Sequence, residues 1–138
     1  MTIEKIYNQI KAQGFKLTKT RQAIIALLFN TCPPLSATDI ALELKKNKIN
    51  KNRTTIYREL CFLLEHQIAN KIQLGENNPR YEISPEHHHH LICRKCGQIK
   101  RITLEKHLYK QEEKIYKKNK FKVLSHSLEF FGLCAKCQ

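Results

Sequence analysis

No run in this 138-residue sequence is apolar for long enough to cross a bilayer. The chain does not open on an apolar stretch either, so its six cysteines are expected in a reducing cytoplasm, where paired thiols hold metal instead of closing disulfides. Acidic residues are scarce, 12 Asp and Glu against 25 Lys and Arg, for a formal charge of +13. That imbalance favours a polyanionic partner, because each phosphate neutralised releases condensed counterions. The signatures of zinc enzymes are missing as well. There is no HExxH, and the H-x-E and P-C-x-x-C elements of deaminases do not occur. No internal repeat is present, and four consecutive histidines are the one low-complexity segment. The length suits one ordinary domain or two small ones.

What is there is concentrated past the middle, in Glu86-His87-His88-His89-His90-Leu91-Ile92-Cys93-Arg94-Lys95-Cys96-Gly97, and again at the end, in Cys134-Ala135-Lys136-Cys137. Two residues between cysteines let a tight turn aim both sulfurs at one ion, and two such pairs make a tetrahedral zinc site. Gly97 supplies the left-handed freedom that such a knuckle requires. Cys93, Cys96, Cys134 and Cys137 are therefore expected to hold a structural Zn(II). If the histidines lie on a strand, His87 and His89 face one way and His88 and His90 the other, a geometry that serves two different sites.

Upstream, apolar spacing predicts a short helix over 3–13 ended by Gly14, and a second from a Thr18 cap to about Phe29, with Ile24, Leu27 and Leu28 inside. Pro33-Pro34 turns the chain. Ser36 caps a third helix with Asp39 in its first turn, burying Ile40, Leu44 and Ala41. After a basic connector, Asn52 or Thr54 opens a fourth over 53–66, with Ile56, Leu60, Leu63 and Leu64 on one face and Cys61 expected in the core. This is a helix-turn-helix pattern. Alternating runs at 69–74 and 80–83, joined by the turn-rich 75–79, add the hairpin of a winged helix. Ser84-Pro85-Glu86 reads as a hinge. Beyond it the pattern predicts strands at 89–92 and 98–102, a helix at 104–119 with Leu108 and Ile115 inside, and a strand at 121–131. The fold class is α+β. A winged-helix DNA-binding domain at 1–84 is followed by a small zinc-stapled α/β domain at 85–138.

With Gly14-Phe15-Lys16-Leu17-Thr18-Lys19-Thr20-Arg21, Leu35-Ser36-Ala37-Thr38-Asp39-Ile40, Thr54-Thr55-Ile56-Tyr57-Arg58-Glu59-Leu60, the histidine–cysteine block, His126-Ser127-Leu128-Glu129 and the terminal knuckle, nearly the whole chain resembles the ferric uptake regulator superfamily of metal-responsive bacterial repressors. Residues 57–68 and 129–134 look more like its zinc-uptake branch, so a zinc-responsive repressor is expected, with an iron-responsive one of the same family as the alternative. The resemblance implies a homodimer, built on the C-terminal domain, that binds palindromic operators of metal-uptake genes when loaded with metal. It also implies a regulatory site of Glu82, His88 and His90 between the domains, taking a second divalent metal, Zn(II) or Fe(II). His87, His89 and His126 match the family's third site. The chain departs from the pattern at Pro34, where a histidine is common, and at Arg101, where a carboxylate is common. The carboxylate of the third site falls at Leu108 or Tyr109, with Glu105 and Glu112 nearby.

Hydroxyls of Thr54 and Thr55 early in the recognition helix suit phosphates, Arg58 suits a guanine edge, and Tyr57 suits a thymine methyl. By resemblance, Lys16 and Arg21 serve backbone or minor-groove contact. No catalysis is expected. Another class of function, zinc storage or delivery, would explain the histidines but leave residues 54–60 and the basic connector without a role.

Overall fold

The computed structural model describes residues 2–73, 78–84, 86–104, 107–124 and 126–138. Most of the expected wing turn (Gly75, Glu76 and Asn77), Leu74 of the first wing run, Pro85 of the hinge, Glu105, and Ser125 of the last expected strand lie outside these residues. The chain divides into two compact units, residues 1–86 and 87–138.

The first unit opens on α1 (Ile3–Ala12), whose Thr2 cap accepts the Lys5 N–H, and Gly14 ends it at φ +82. α2 (Lys19–Asn30) starts at Thr18, whose hydroxyl accepts the Arg21 N–H at 3.1 Å. A two-residue strand β1 (Leu35–Ser36) leads into α3 (Ala37–Lys46), which has a complete capping box between Ser36 and Asp39. α4 (Arg53–Glu65) is capped by Asn52, not Thr54. β2 (Asn70–Ile72) and β3 (Arg80–Glu82) form the antiparallel wing. β1 adds a third strand, pairing Leu35 with Tyr81, so the sheet runs β1-β3-β2.

Ile6, Ile10, Ile24, Ile25, Leu28, Ile40, Leu44, Ile56, Leu60 and Leu63 make the core under these helices. Ile25 takes the buried place expected of Leu27, which together with Ala41 and Leu64 packs only at the margin. Cys61 is exposed, contrary to expectation. It lies two turns beyond Thr54, on the face of α4 opposite the core.

The second unit holds β4 (His89–Cys93), β5 (Ile99–Ile102), α5 (His107–Asn119) and β6 (Glu129–Gly132). β4 lies between its neighbours, antiparallel to β5 and parallel to β6. The strand expected over 121–131 is confined to β6. In the register that sets His90 against Glu129, residues 121–124 run past the start of β4 and have no ladder to join, so Phe121 and Leu124 are exposed. Ile115, expected inside, is 39% exposed. No helix among the described residues is long and apolar enough to cross a membrane.

Candidate metal centres and nucleic-acid interface

The parallel pairing of β4 with β6 is what brings the two cysteine pairs together. Cys93 ends β4 opposite Gly132, and the chain reaches Cys134 two residues later. The Cys134 N–H then donates to Cys93 Sγ at 3.3 Å. Each pair closes a tight turn, with Gly97 N–H on the Cys93 carbonyl and Cys137 N–H on the Cys134 carbonyl, and Gly97 sits at φ +72. The four Sγ atoms lie within 4.8 Å of one another, and Cys96 and Cys134 are 3.7 Å apart, sulfur to sulfur. Four sulfurs about 2.3 Å from a central zinc are separated by about 3.8 Å along each tetrahedral edge, whereas a disulfide needs about 2.05 Å. The Cys96–Cys134 separation is that of one edge of a zinc tetrahedron, the other thiols are gathered close by, and all four are free.

Their electrostatics fit a cation too. Backbone N–H groups of Cys134, then Cys96 and Lys95, pull the Cys93 thiol down to about 6. Sharing a hydrogen bond with Cys134, followed by burial, pushes Cys137 up to about 12. One thiolate is therefore ready, and a bound dication would displace the proton that Cys137 retains.

A second group gathers His87, His89 and His126, whose candidate ligand atoms also lie within 4.8 Å of one another. His89 is buried, and its Nδ1 lies 3.2 Å from the Leu128 carbonyl. A carbonyl only accepts, so Nδ1 carries the proton and Nε2 carries the lone pair. That Nε2 is buried with no hydrogen-bond partner among the described residues. A buried lone pair without a donor costs free energy unless an electrophile meets it. His126 Nδ1 is 2.7 Å from Glu112 Oε1, the carboxylate–histidine arrangement that orients a metal ligand. Burial, then the neighbouring His126, lowers the pKa of His87, and burial followed by His87 lowers that of His89. The lowering favours the neutral, metal-binding form of both rings. Leu108 and Tyr109 offer no carboxylate, and of the two glutamates expected nearby Glu112 is the one bonded to His126, while Glu105 lies outside the described residues.

On the other side of β4, His88 Nε2 and His90 Nε2 are 3.2 Å apart. Nitrogens about 2.0 Å from a tetrahedral ion stand about 3.3 Å apart, so the two rings aim at one point. Glu82, the remaining residue expected at this site, ends β3 in the first unit and is buried. Arg101 pairs with His90 across β4 and β5, and Pro34 is buried beside α3, its carbonyl accepting from Arg80.

In the first unit, α4 turns Ile56, Leu60 and Leu63 inward, which leaves Thr54, Tyr57, Arg58 and Cys61 along an open groove on the opposite face. Thr54 and Arg58 are exposed, Thr55 and Tyr57 half-buried. Lys16 is exposed in the link between α1 and α2, and Lys45, Lys46, Lys48 and Lys51 are exposed around the turn between α3 and α4. Arg21 is different: its guanidinium is engaged inside the unit by Glu59, the Lys16 carbonyl and the Phe62 ring.

The sequence profile of the ferric uptake regulator family matches residues 12–131. The ferric uptake regulation protein of Bacillus subtilis is 36% identical, across 98% of this chain and 93% of its own length. The peroxide-responsive repressor of Staphylococcus saprophyticus is 28% identical, across 99% and 91%. Among solved structures, the Helicobacter pylori ferric uptake regulator, described with three functional metal-binding sites, superimposes with a TM-score of 0.80 at 28% identity, covering 99% of this chain and 94% of that one.

Proposed function

Because the chain belongs to the ferric uptake regulator family, we propose that it is a metal-dependent transcriptional repressor, acting as a cytoplasmic homodimer on palindromic operators of metal-uptake genes. One observation carries this reading. The exposed face of α4 and the clusters of thiols and imidazoles occur in one chain, each on its own compact unit. Storage or delivery of zinc would need only the second. Residues 1–84 form the DNA-binding domain and 85–138 the dimerisation domain.

Thr54, Thr55, Tyr57 and Arg58 read the duplex, and Lys16 with the lysines of the turn holds its phosphates. Cys93, Cys96, Cys134 and Cys137 hold a structural Zn(II), which when bound replaces the apolar core that a small domain lacks. His87, His89 and His126, with Glu112 orienting His126, form one further site. Glu82, His88 and His90 form the regulatory one. Two imidazoles and a carboxylate suit Fe(II) as well as Zn(II), and cellular availability selects between them. Fe(II) is the sensed ion we assign, on the strength of the relatives named for ferric uptake. Zn(II) is the second reading, favoured by the zinc-uptake likeness of residues 57–68 and 129–134.

The test is operator binding followed by fluorescence anisotropy while free Fe(II), kept anaerobic, or free Zn(II) is varied over the zinc-stapled protein. Affinity that rises with Fe(II) at low micromolar concentration supports the assignment. A response to Zn(II) alone transfers it to the second reading, and affinity indifferent to both ions removes the repressor.

A further inference from the structure

Arg21 is the third residue of α2, and both its backbone and its side chain are held. Its N–H reaches the Thr18 cap at 3.1 Å. Its Nε donates to Glu59 Oε2 at 2.7 Å, one Nη donates to the Lys16 carbonyl at 2.8 Å, and Cζ lies 3.5 Å from the centre of the Phe62 ring. The side chains of Arg21 and Glu59 are only 12% and 14% exposed. A flat guanidinium can meet two acceptors in its plane while an aromatic ring covers its face, and a lysine ammonium cannot.

The partners are informative. Glu59 directly follows Arg58, and Phe62 stands one turn beyond Arg58 on α4. Lys16 is the exposed cation of the preceding link. The three contacts therefore tie the start of α2 to the recognition helix and to the backbone that carries Lys16. They also neutralise a carboxylate that would otherwise stand, half-buried and unpaired, one residue from the base-reading arginine.

We propose that Arg21 is a positioning residue, a clamp that fixes α4 and the Lys16 backbone in one register so that Arg58 and Lys16 meet the same duplex, and that it touches no phosphate itself. This rests on the operator-binding reading above. It assigns Arg21 a different task from the groove contact that the family likeness implies.

Salt separates the two roles. A phosphate contact contributes about 0.9 to the slope of log affinity against log salt concentration, and a positioning residue contributes nothing. The experiment measures that slope for the full, metal-loaded chain on an operator duplex, well below the lowest melting midpoint of any variant. Arg21→Lys, which keeps the charge but loses the fork, is expected to weaken binding about tenfold with an unchanged slope. Glu59→Gln is expected to do the same to a smaller degree, and Lys16→Ala to lower the slope by about 0.9. Arg21→Lys binding as tightly as the parent would overturn the clamp, and so would an Arg21→Ala slope reduced by about one unit. A variant that is merely less stable binds normally under these conditions and counts against the proposal. A parent protein with no metal-dependent operator affinity would remove the functional reading itself. Normal parent binding with an indifferent Arg21→Lys removes only the clamp.

Discussion

Arg58 lies one turn beyond Thr54 on the open face of α4, and its guanidinium has no acceptor among the described residues. Its planar fork is thus unspent, in contrast to that of Arg21, and a guanine edge offers two acceptors at the matching spacing. Arg58→Ala is expected to weaken operator binding by about 1–3 kcal/mol and to relax base choice at one position of each half-site. Titrations against the operator and its single-base variants check this, and equal affinities for parent and variant would take Arg58 out of the recognition set. At the histidine cluster, Glu112 acts through His126. Glu112→Gln should keep the fold and lower the affinity of one metal equivalent by about 10–100-fold, read by competition with a chromophoric chelator. The cysteine tetrahedron was legible from spacing because each pair is local and a two-residue gap dictates the knuckle. The choice of Glu112 was not. The likeness put the carboxylate's place at Leu108 or Tyr109 with Glu105 and Glu112 nearby, and spacing alone could not choose, because His126 lies 14 residues from Glu112 along the chain. The protonation of His89 was equally hidden, since it depends on the Leu128 carbonyl, which only the β4–β6 register supplies.

At the level of elements, the start of α3 is the helix start that carries a complete capping box among the described residues. Ser36 Oγ accepts the Asp39 N–H at 3.1 Å, while Asp39 Oδ2 accepts the Ser36 N–H at 2.9 Å and its hydroxyl at 2.7 Å. Hydrogen bonds from Ser36, and behind them the charge of Arg80, hold the Asp39 carboxyl below the ordinary carboxylate range. A carboxylate with a depressed folded pKa contributes stability that is complete above its unfolded value, near 3.9, and fades as the pH falls through the lower folded value. Asp39→Asn should therefore lower the melting midpoint of the first unit at pH 7, and the gap to the parent should narrow below about pH 4. Ser36→Ala removes the cap outright and should cost about 0.5–2 kcal/mol in a denaturant titration at neutral pH. A pH-independent difference for Asp39→Asn would show that the charge is irrelevant. Caps of this kind are written within four residues, which is why Thr18 and Ser36 could be read from the sequence and the start of α4 narrowed to Asn52 or Thr54. Strands are not local in that sense. β1 exists because Tyr81 offers Leu35 a ladder, and the strand expected over 121–131 survives only where β4 lies beside it.

For the molecule as a whole, each of the two units is stabilised by different physics. Residues 1–86 bury a continuous aliphatic core drawn from α1 to α4. The 52 residues from His87 to Gln138 fully bury only Ile92 and Cys93 among their described apolar side chains, and α5 is exposed along most of its length. A unit of that size has a net stability of about 3–8 kcal/mol at the usual 0.05–0.15 kcal/mol per residue. Zinc held by the four thiols, as proposed above, would contribute about 10–16 kcal/mol at neutral pH, more than the whole margin. Loss of the ion should therefore unfold the second unit while the first stays folded. Hydrogen exchange on the full chain, before and after removal of zinc by a strong chelator, is expected to erase protection of the β4 and β6 amides and leave α2 and α4 protected. Cys96→Ser should reproduce that pattern without chelator, with about one zinc fewer per protomer and loss of the dimer on sizing. Protected β4 amides in a protein stripped of zinc would mean that the sheet stands on side-chain packing alone, and the thiols would then need another role.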